Sequence, residues 1–309
     1  MSVRFAIDSW APTIGSAFGG EDDLAPADGA VDVTAEVPPE DWRPQTPDAS
    51  PAADVRFVDG TIRTDAIVWI TDDNGTRQGR AISIAAGSTR TNGNARVESA
   101  LVRRLLLGPA GTPALETRHG RYELAVVGGD DEQALRQRSF EAMGRLETRV
   151  AGDGDPCELV IVDGPLRGKE HVPGAVGYVK SHRTSYLPPA VSDTVAALAA
   201  GQRTPLFVAQ TGWTRYSWYL RLPGANGHPW AGIVRCEAAA DRDLDEVRRL
   251  ADLTAATLPR FASEAHKDAR APQNLYPIAG LERHLKRLLG DPMLLERALR
   301  SAAAQASSR

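Results

Sequence analysis

Alternating and continuous apolar runs predict that much of the chain from residue 55 onwards forms short strands. Runs of β-branched and aromatic residues bounded by Gly, Pro, Asn and Asp are typical of strands. A turn signal, Asp72-Asp73-Asn74-Gly75, separates two of these runs. The predicted strands cover residues 56–59, 66–71, 80–86, 121–127, 159–163, 174–180, 206–211, 217–222 and 232–238.

Helical periodicity is found between the later strands and at the C-terminal end of the sequence. Apolar residues three and four positions apart mark one face of each helix. Asp241 or Asp243 can cap the third helix, because an Asp side chain accepts hydrogen bonds from the first free amides. The predicted helices cover residues 131–151, 190–200, 241–261, 277–289 and 292–304.

The N-terminal region differs in composition from the rest. Residues 3–7 predict a short strand, whereas residues 19–54 are rich in Pro, Asp, Glu and Ala and follow neither hydrophobic period. This composition indicates an extended arm that is ordered by packing on the body of the protein or on a second subunit. We predict an N-terminal strand and arm over residues 1–54, and one folded domain with C-terminal helices over residues 55–309.

The order of the elements predicts the fold class. Sequential strands are followed by a helix, further strands and terminal helices, which is the layout of a ribonuclease-H-like mixed sheet with flanking helices. Crossover connections in such α/β folds bring a later strand beside an earlier one in the same sheet.

Composition narrows the classes of function. The 309 residues are 42% hydrophobic and 25% charged, as in ordinary globular proteins, and the net charge is −4. A polyanion would therefore need a local basic groove and a metal ion. Cys157 and Cys236 are too few for a disulfide framework and lack metal-site spacing. With no apolar run of about 18 residues, we expect a cytoplasmic protein that does not enter the membrane.

Two aspartates each follow a strand-like run and precede a glycine. Asp59 closes Arg56-Phe57-Val58, and Asp163 closes Leu159-Val160-Ile161-Val162. Carboxylates at the rim of a sheet can converge on a divalent cation, because hard cations need several oxygen ligands. The alternative is that both are ordinary strand-end turns, since Asp-Gly is a common turn dipeptide.

A third carboxylate is expected on the helix over residues 131–151. Glu147 borders the apolar face of this helix and leans toward the sheet, whereas Glu141 lies on the opposite side. Glu147 is therefore the better candidate, although a salt bridge to Arg145 or Arg149 would also explain an acid there. The predicted apolar stripe comprises Leu135, Phe140, Met143, Leu146 and Val150.

Common hydrolase motifs are absent or incomplete. Val58-Asp59-Gly60-Thr61 resembles a phosphatase motif, but Phe57 stands where that chemistry needs a nucleophilic Asp. The 164–169 segment is too short for a phosphate loop. There is no Gly-x-Ser-x-Gly or His-Glu-x-x-His sequence.

Basic and aromatic residues predict contacts with nucleic acid. Such side chains can bind backbone phosphates or stack on bases. The aromatic residues of the predicted strand over residues 217–222 could instead pack in the core, and we favour this alternative for Trp218 and Leu220. The candidate residues for these contacts are Arg167, Lys169, His182, Arg183, Arg215 and Trp213, and Lys180 could neutralise charge on a bound phosphate.

Five short motifs in consistent order resemble the NurA-type nuclease family. They are Asp59-Gly60-Thr61, Arg145-Leu146-Glu147, Asp163-Gly164-Pro165-Leu166, Val176-Gly177-Tyr178-Val179-Lys180, and Tyr276-Pro277 with His284 eight residues after Tyr276. The resemblance departs from the family where Glu282 and Arg283 replace a small apolar run.

This resemblance implies a ribonuclease-H-like DNA nuclease that binds Mn²⁺ or Mg²⁺ through acidic residues. It implies a homodimer that works with a HerA-type hexameric ATPase on single-stranded DNA or duplex ends, in DNA end resection. Tyr276 and His284 would support a site made by Asp59, Glu147 and Asp163, with His284 as a further metal ligand. The alternatives are a partly exposed helix histidine at 284 and, for the whole protein, an inactive scaffold in a DNA-processing complex.

Overall fold

A computed structural model describes residues 25–73, 75–129, 131–224 and 228–307, so the predicted strand over residues 3–7 lies outside the described residues. The chain forms two units. The first contains the described parts of Met1–Phe57, Arg90–Arg96 and Asp155–Ala279. The second contains those of Val58–Thr89, Val97–Gly154 and Gly280–Arg309.

The strands and helices have the following bounds. The strands are β1 (Ala25–Pro26), β2 (Val31–Asp32), β3 (Val55–Asp72), β4 (Gly75–Thr91), β5 (Ala95–Gly108), β6 (Leu115–Thr117), β7 (Gly120–Val126), β8 (Leu159–Asp163), β9 (Ala175–Val179), β10 (Thr184–Ser185), β11 (Phe207–Ala209), β12 (Arg215–Arg221) and β13 (Ile233–Ala239). The helices are α1 (Glu132–Gly152), α2 (Pro189–Ala197), α3 (Leu244–Thr257), α4 (Tyr276–Leu288) and α5 (Pro292–Ser307).

The first unit has a mixed sheet whose order is β2-β11-β12-β13-β9-β8, followed by the first residues of β3. β8 and β9 are parallel, whereas β9, β13, β12 and β11 are antiparallel neighbours. Trp218 is buried as predicted, and its indole N–H donates to Thr254 Oγ1 of α3 at 3.2 Å. α3 begins after Asp243, which caps it, and ends in a 3₁₀ turn.

The described part of the predicted arm packs on the first unit. β2 pairs with β11, and β1 pairs with β10. Glu36 accepts two hydrogen bonds from the buried Arg203, at 2.9 and 3.0 Å. Trp42 is buried in an apolar cluster with Phe207. These contacts stabilise a segment whose composition alone predicted no regular structure.

The second unit has the strand order β3-β4-β5-β7-β6. The predicted strands 56–59 and 66–71 are one continuous strand, and β5 was not predicted. Charged residues at Arg96, Glu98 and Arg103 obscure the strand pattern of β5, and pairing with its neighbours selects the extended conformation. Leu281 and Leu285 of α4 pack on Ala85 of β4 in this unit.

The predicted mixed α/β class, with a large mixed sheet and flanking helices, is confirmed. In the part of the chain that the structure describes, no helix combines the length and apolar character needed to cross a bilayer.

Candidate functional site

Asp163 is the last residue of β8 in the first unit, as its pattern predicts. Gly164 follows with φ at +90°, a backbone conformation that favours glycine. Its amide donates to the carbonyl of Tyr178 at 2.8 Å, so the chain turns away directly after the aspartate. The carboxylate is thereby left at the end of the strand.

The two oxygens of Asp163 have different surroundings. Oδ2 accepts a hydrogen bond from Lys180 Nζ at 2.7 Å. Lys180 also donates to Asn274 Oδ1 at 3.1 Å, and Asn274 Nδ2 donates to Asp268 Oδ2 at 2.8 Å. Oδ1 is buried and has no hydrogen-bond partner among the described residues. One oxygen of this carboxylate therefore remains available to a ligand.

The loop after Asp163 is held tightly by buried neighbours. A Cβ atom on Gly177 would lie 2.6 Å from the amide nitrogen of Leu166, so only glycine allows this approach. The same amide donates to Glu237 Oε2 at 3.1 Å. Tyr178 donates its hydroxyl to the carbonyl of Gln273 at 2.8 Å, and burial raises its pKa well above the ordinary value. Glu237 and Asn274 were not predicted. A polar residue within a buried strand was the available signal for Glu237.

Asp59 lies within β3, and not at a strand end, so this part of the prediction is wrong. Gly60 continues the strand and makes no left-handed turn. A Cβ atom on Gly60 would lie 2.4 Å from Glu147 Oε1. The absence of a side chain at Gly60 therefore makes room for the Glu147 carboxylate of α1, which packs against the strand at the residue after Asp59.

Glu141 and Glu147 of α1 point in the predicted directions. Glu147 is buried, with 5% of its surface exposed, and Asp59 is also buried. Glu141 is exposed and accepts a hydrogen bond from Gln137 at 3.0 Å. The predicted apolar stripe is wrong at Phe140, which is 51% exposed.

Tyr276 and His284 both lie on α4, but in different units. Tyr276 is the first residue of the helix, and its ring centroid is 5.6 Å from Lys267 Nζ. His284 is half-buried in the second unit. Across the described ranges, no group of three His, Cys, Asp or Glu side chains is close enough to hold a metal ion.

Several predicted DNA contacts are buried, and for these the prediction is wrong. Lys169 and His182 are both almost fully buried, whereas Arg167 and Arg183 are exposed. Nε2 of His182 lies 3.1 Å from the carbonyl oxygen of Ile233. Burial lowers the pKa of the His182 imidazole to about 4. This ring is therefore neutral near pH 7 and does not attract phosphate.

Arg215 is also buried, so it does not present its charge to DNA. Its guanidinium donates to Glu237 Oε1 at 2.8 Å, and Arg235 donates to the same oxygen at 2.7 Å. The guanidinium carbon lies 5.4 Å from the centroid of the half-buried Trp213 ring. Arg215 and Arg235 therefore position the carboxylate of Glu237. This carboxylate accepts the hydrogen bond from the Leu166 amide in the loop after Asp163.

These features define a mixed α/β protein with the buried carboxylates of Asp59 and Glu147 in one unit and, in the other, the half-buried carboxylate of Asp163 paired with Lys180 at a strand end. The NurA domain family matches residues 81–283, more than half of the chain, and the chain belongs to this family. The matched range includes Glu147, Asp163, Lys180 and Tyr276, while Asp59 precedes it and His284 follows it.

Comparison with individual proteins adds no conclusion beyond membership of the family. No curated protein matches the chain. Among solved structures, the NurA nuclease from Sulfolobus solfataricus is similar with a TM-score of 0.45 and 12% identity, over 79% of this chain and 81% of that chain.

Proposed function

We propose that the protein is a divalent-metal-dependent DNA nuclease that hydrolyses phosphodiester bonds during DNA end processing and repair. Membership of the NurA family supports this function. The carboxylates of Asp59 and Glu147 in the second unit and of Asp163 in the first support the metal requirement. Asp59, Glu147 and Asp163, with His284, are the proposed ligands of Mn²⁺ or Mg²⁺.

The observation that carries the proposal is the unpartnered Oδ1 of Asp163. A buried carboxylate oxygen without a partner is destabilising, because folding has removed its water. Mn²⁺ and Mg²⁺ prefer oxygen ligands, so the carboxylates of Asp59, Glu147 and Asp163 suit either ion in chemical type. When bound, such an ion would activate water and neutralise charge that develops on the phosphate.

The chain's own residues supply positioning and positive charge. Lys180 is held between Asp163 and Asn274, so its ammonium group is kept at the strand end. There it can neutralise a phosphate oxygen in the transition state. Gly164 and the buried Tyr178 fix the backbone on which Asp163 is presented.

A nuclease assay on labelled single-stranded and duplex DNA tests the proposal. We expect cleavage with Mn²⁺ or Mg²⁺, none with EDTA, and loss of activity by orders of magnitude in Asp163→Asn and Asp59→Asn. Asp193→Asn is the matched control, because Asp193 is exposed in α2. Circular dichroism would show that each variant is folded. Undiminished cleavage by either folded variant would contradict the assignment, and a wild-type protein without metal-dependent cleavage would favour the inactive scaffold.

We further propose a cytoplasmic homodimer that acts with a HerA-type hexameric ATPase, as the family resemblance implies. Light scattering should give the mass of two chains, and adding the ATPase with ATP should stimulate cleavage. A monomer at all concentrations would argue against the dimer.

A further inference from the structure

A cleft in the second unit lies between β3 and the first half of α1. Its volume is about 550 Å³. It begins at Gly60, the residue against which Glu147 packs. Thr61, Thr64, Arg80, Arg136 and Phe140 contribute the polar, cationic and aromatic parts of its lining. The cleft thus adjoins the Asp59-Gly60 segment of β3.

Phe140 gives the cleft an exposed aromatic surface. It occupies a helix position that the apolar pattern assigns to the core, yet 51% of its surface is accessible. The guanidinium carbon of Arg136, one helical turn earlier, lies 5.6 Å from the ring centroid. An aromatic ring beside an arginine is the combination that binds bases by stacking and phosphates by charge.

The charges in the cleft favour an anionic ligand. Arg80 forms an ion pair with Glu132, so these two charges balance. Arg136 is exposed, and no carboxylate pairs with it in the parts of the chain that the structure describes. One unbalanced positive charge therefore lies beside the exposed ring, although the protein as a whole has a net charge of −4.

We propose that this cleft binds single-stranded DNA, with a base stacked on Phe140 and a neighbouring phosphate bound by Arg136. A free strand exposes the face of each base, whereas bases within a duplex are already stacked on one another. Phe140 precedes Glu147 by seven residues, which is about 10 Å along a helix. A strand bound here would be directed toward the Asp59 and Glu147 segment. The inference rests on the proposed function for its consequence in cleavage, but not for binding.

Binding without cleavage tests the inference directly. We would measure fluorescence anisotropy in EDTA with three labelled ligands: a single-stranded oligonucleotide, an abasic strand of equal length, and a duplex of the same sequence. Phe140→Ala should weaken binding of the single strand about tenfold or more, as expected for loss of one stacking partner. The same variant should leave binding of the abasic strand unchanged, and Phe140→Trp should restore binding.

Arg136→Ala should weaken binding of both the normal and the abasic strand and reduce the salt dependence by about one phosphate contact. Met293→Ala and Arg149→Ala are matched controls, because both residues are exposed in the same unit. Equal effects of Phe140→Ala on all three ligands, no effect at all, or a wild-type protein that binds no single strand would overturn the inference. The inference would also be overturned if a protein partner, and not single-stranded DNA, bound in the cleft. Active cleavage with unaltered binding by Phe140→Ala would reject only this cleft, and normal stacking without metal-dependent cleavage would reject only the proposed nuclease.

Discussion

The two Asp-Gly dipeptides are alike in sequence and different in structure. In the first unit, Asp163-Gly164 ends β8, and the glycine turns the backbone with φ at +90°. In the second unit, Asp59-Gly60 lies within β3, and the glycine makes room for the carboxylate of Glu147. The same dipeptide therefore provides a turn in one unit and a close contact in the other.

The two aspartates also differ in burial and in their neighbours. Asp163 is paired with Lys180, so its negative charge is partly balanced. Asp59 and Glu147 are both buried in the second unit, and Glu147 packs at the residue after Asp59. Asp59 accepts a hydrogen bond from the amide of Gly60 at 2.7 Å. In the second unit, the surroundings of the Asp59-Gly60 segment therefore depend more on the position of α1 than on the neighbouring residues in the sequence.

The largest difference is expected between Glu147 and Glu141 of α1. Glu147→Gln removes a buried carboxylate, so we expect cleavage to fall by orders of magnitude. Glu141→Gln changes an exposed side chain and should alter neither cleavage nor, beyond about half a kcal/mol, stability. Rates on labelled DNA and urea unfolding of both variants would measure this. Equal losses of activity would mean that the third acidic ligand lies elsewhere.

The two glycines should respond to alanine in opposite ways. At Gly60 a Cβ atom displaces the end of a flexible glutamate side chain, so Gly60→Ala should lower cleavage at least tenfold with little change in stability. At Gly164 the space is open but φ is positive, so Gly164→Ala should lower the free energy of unfolding by about 1–2 kcal/mol. Paired kinetics and chemical denaturation measure both quantities. A pattern in which Gly60→Ala mainly unfolds the protein would show that the Glu147 contact is rigid.

The stability of the first unit should also depend on pH. His182 is buried there, and its pKa falls from 6.5 to about 4, chiefly through burial. Above pH 6.5 its neutral state adds no penalty, and stability is lost as the pH falls from 6.5 toward 4, because the unfolded chain binds a proton that the folded chain does not. Between pH 7 and 5 the loss from this residue is about 2 kcal/mol.

Urea unfolding at both pH values would measure this loss, and His182→Gln should reduce the pH dependence of the unfolding free energy. His119 is exposed in the second unit, and His119→Gln is the control. An identical pH dependence in wild type and His182→Gln would show that other groups cause the acid sensitivity.

Local patterns predicted what depends on a few neighbouring residues. The buried run before Asp163 predicted β8, and Asp131 and Asp243 cap α1 and α3 through short-range hydrogen bonds. The helical period placed Glu147 inward and Glu141 outward. It failed at Phe140, because periodicity marks an average face and cannot tell whether another element covers each position.

The sequence alone determined the α/β class, most element positions and the acidic residues from which a metal site is proposed. Tertiary structure decided that Gly60 serves a contact and not a turn, since the contacting carboxylate is far away in sequence. It also decided that His182 and Arg215 are buried while Phe140 is exposed. Charge and aromatic character are properties of single residues, but their exposure depends on packing between distant segments, which no local pattern records.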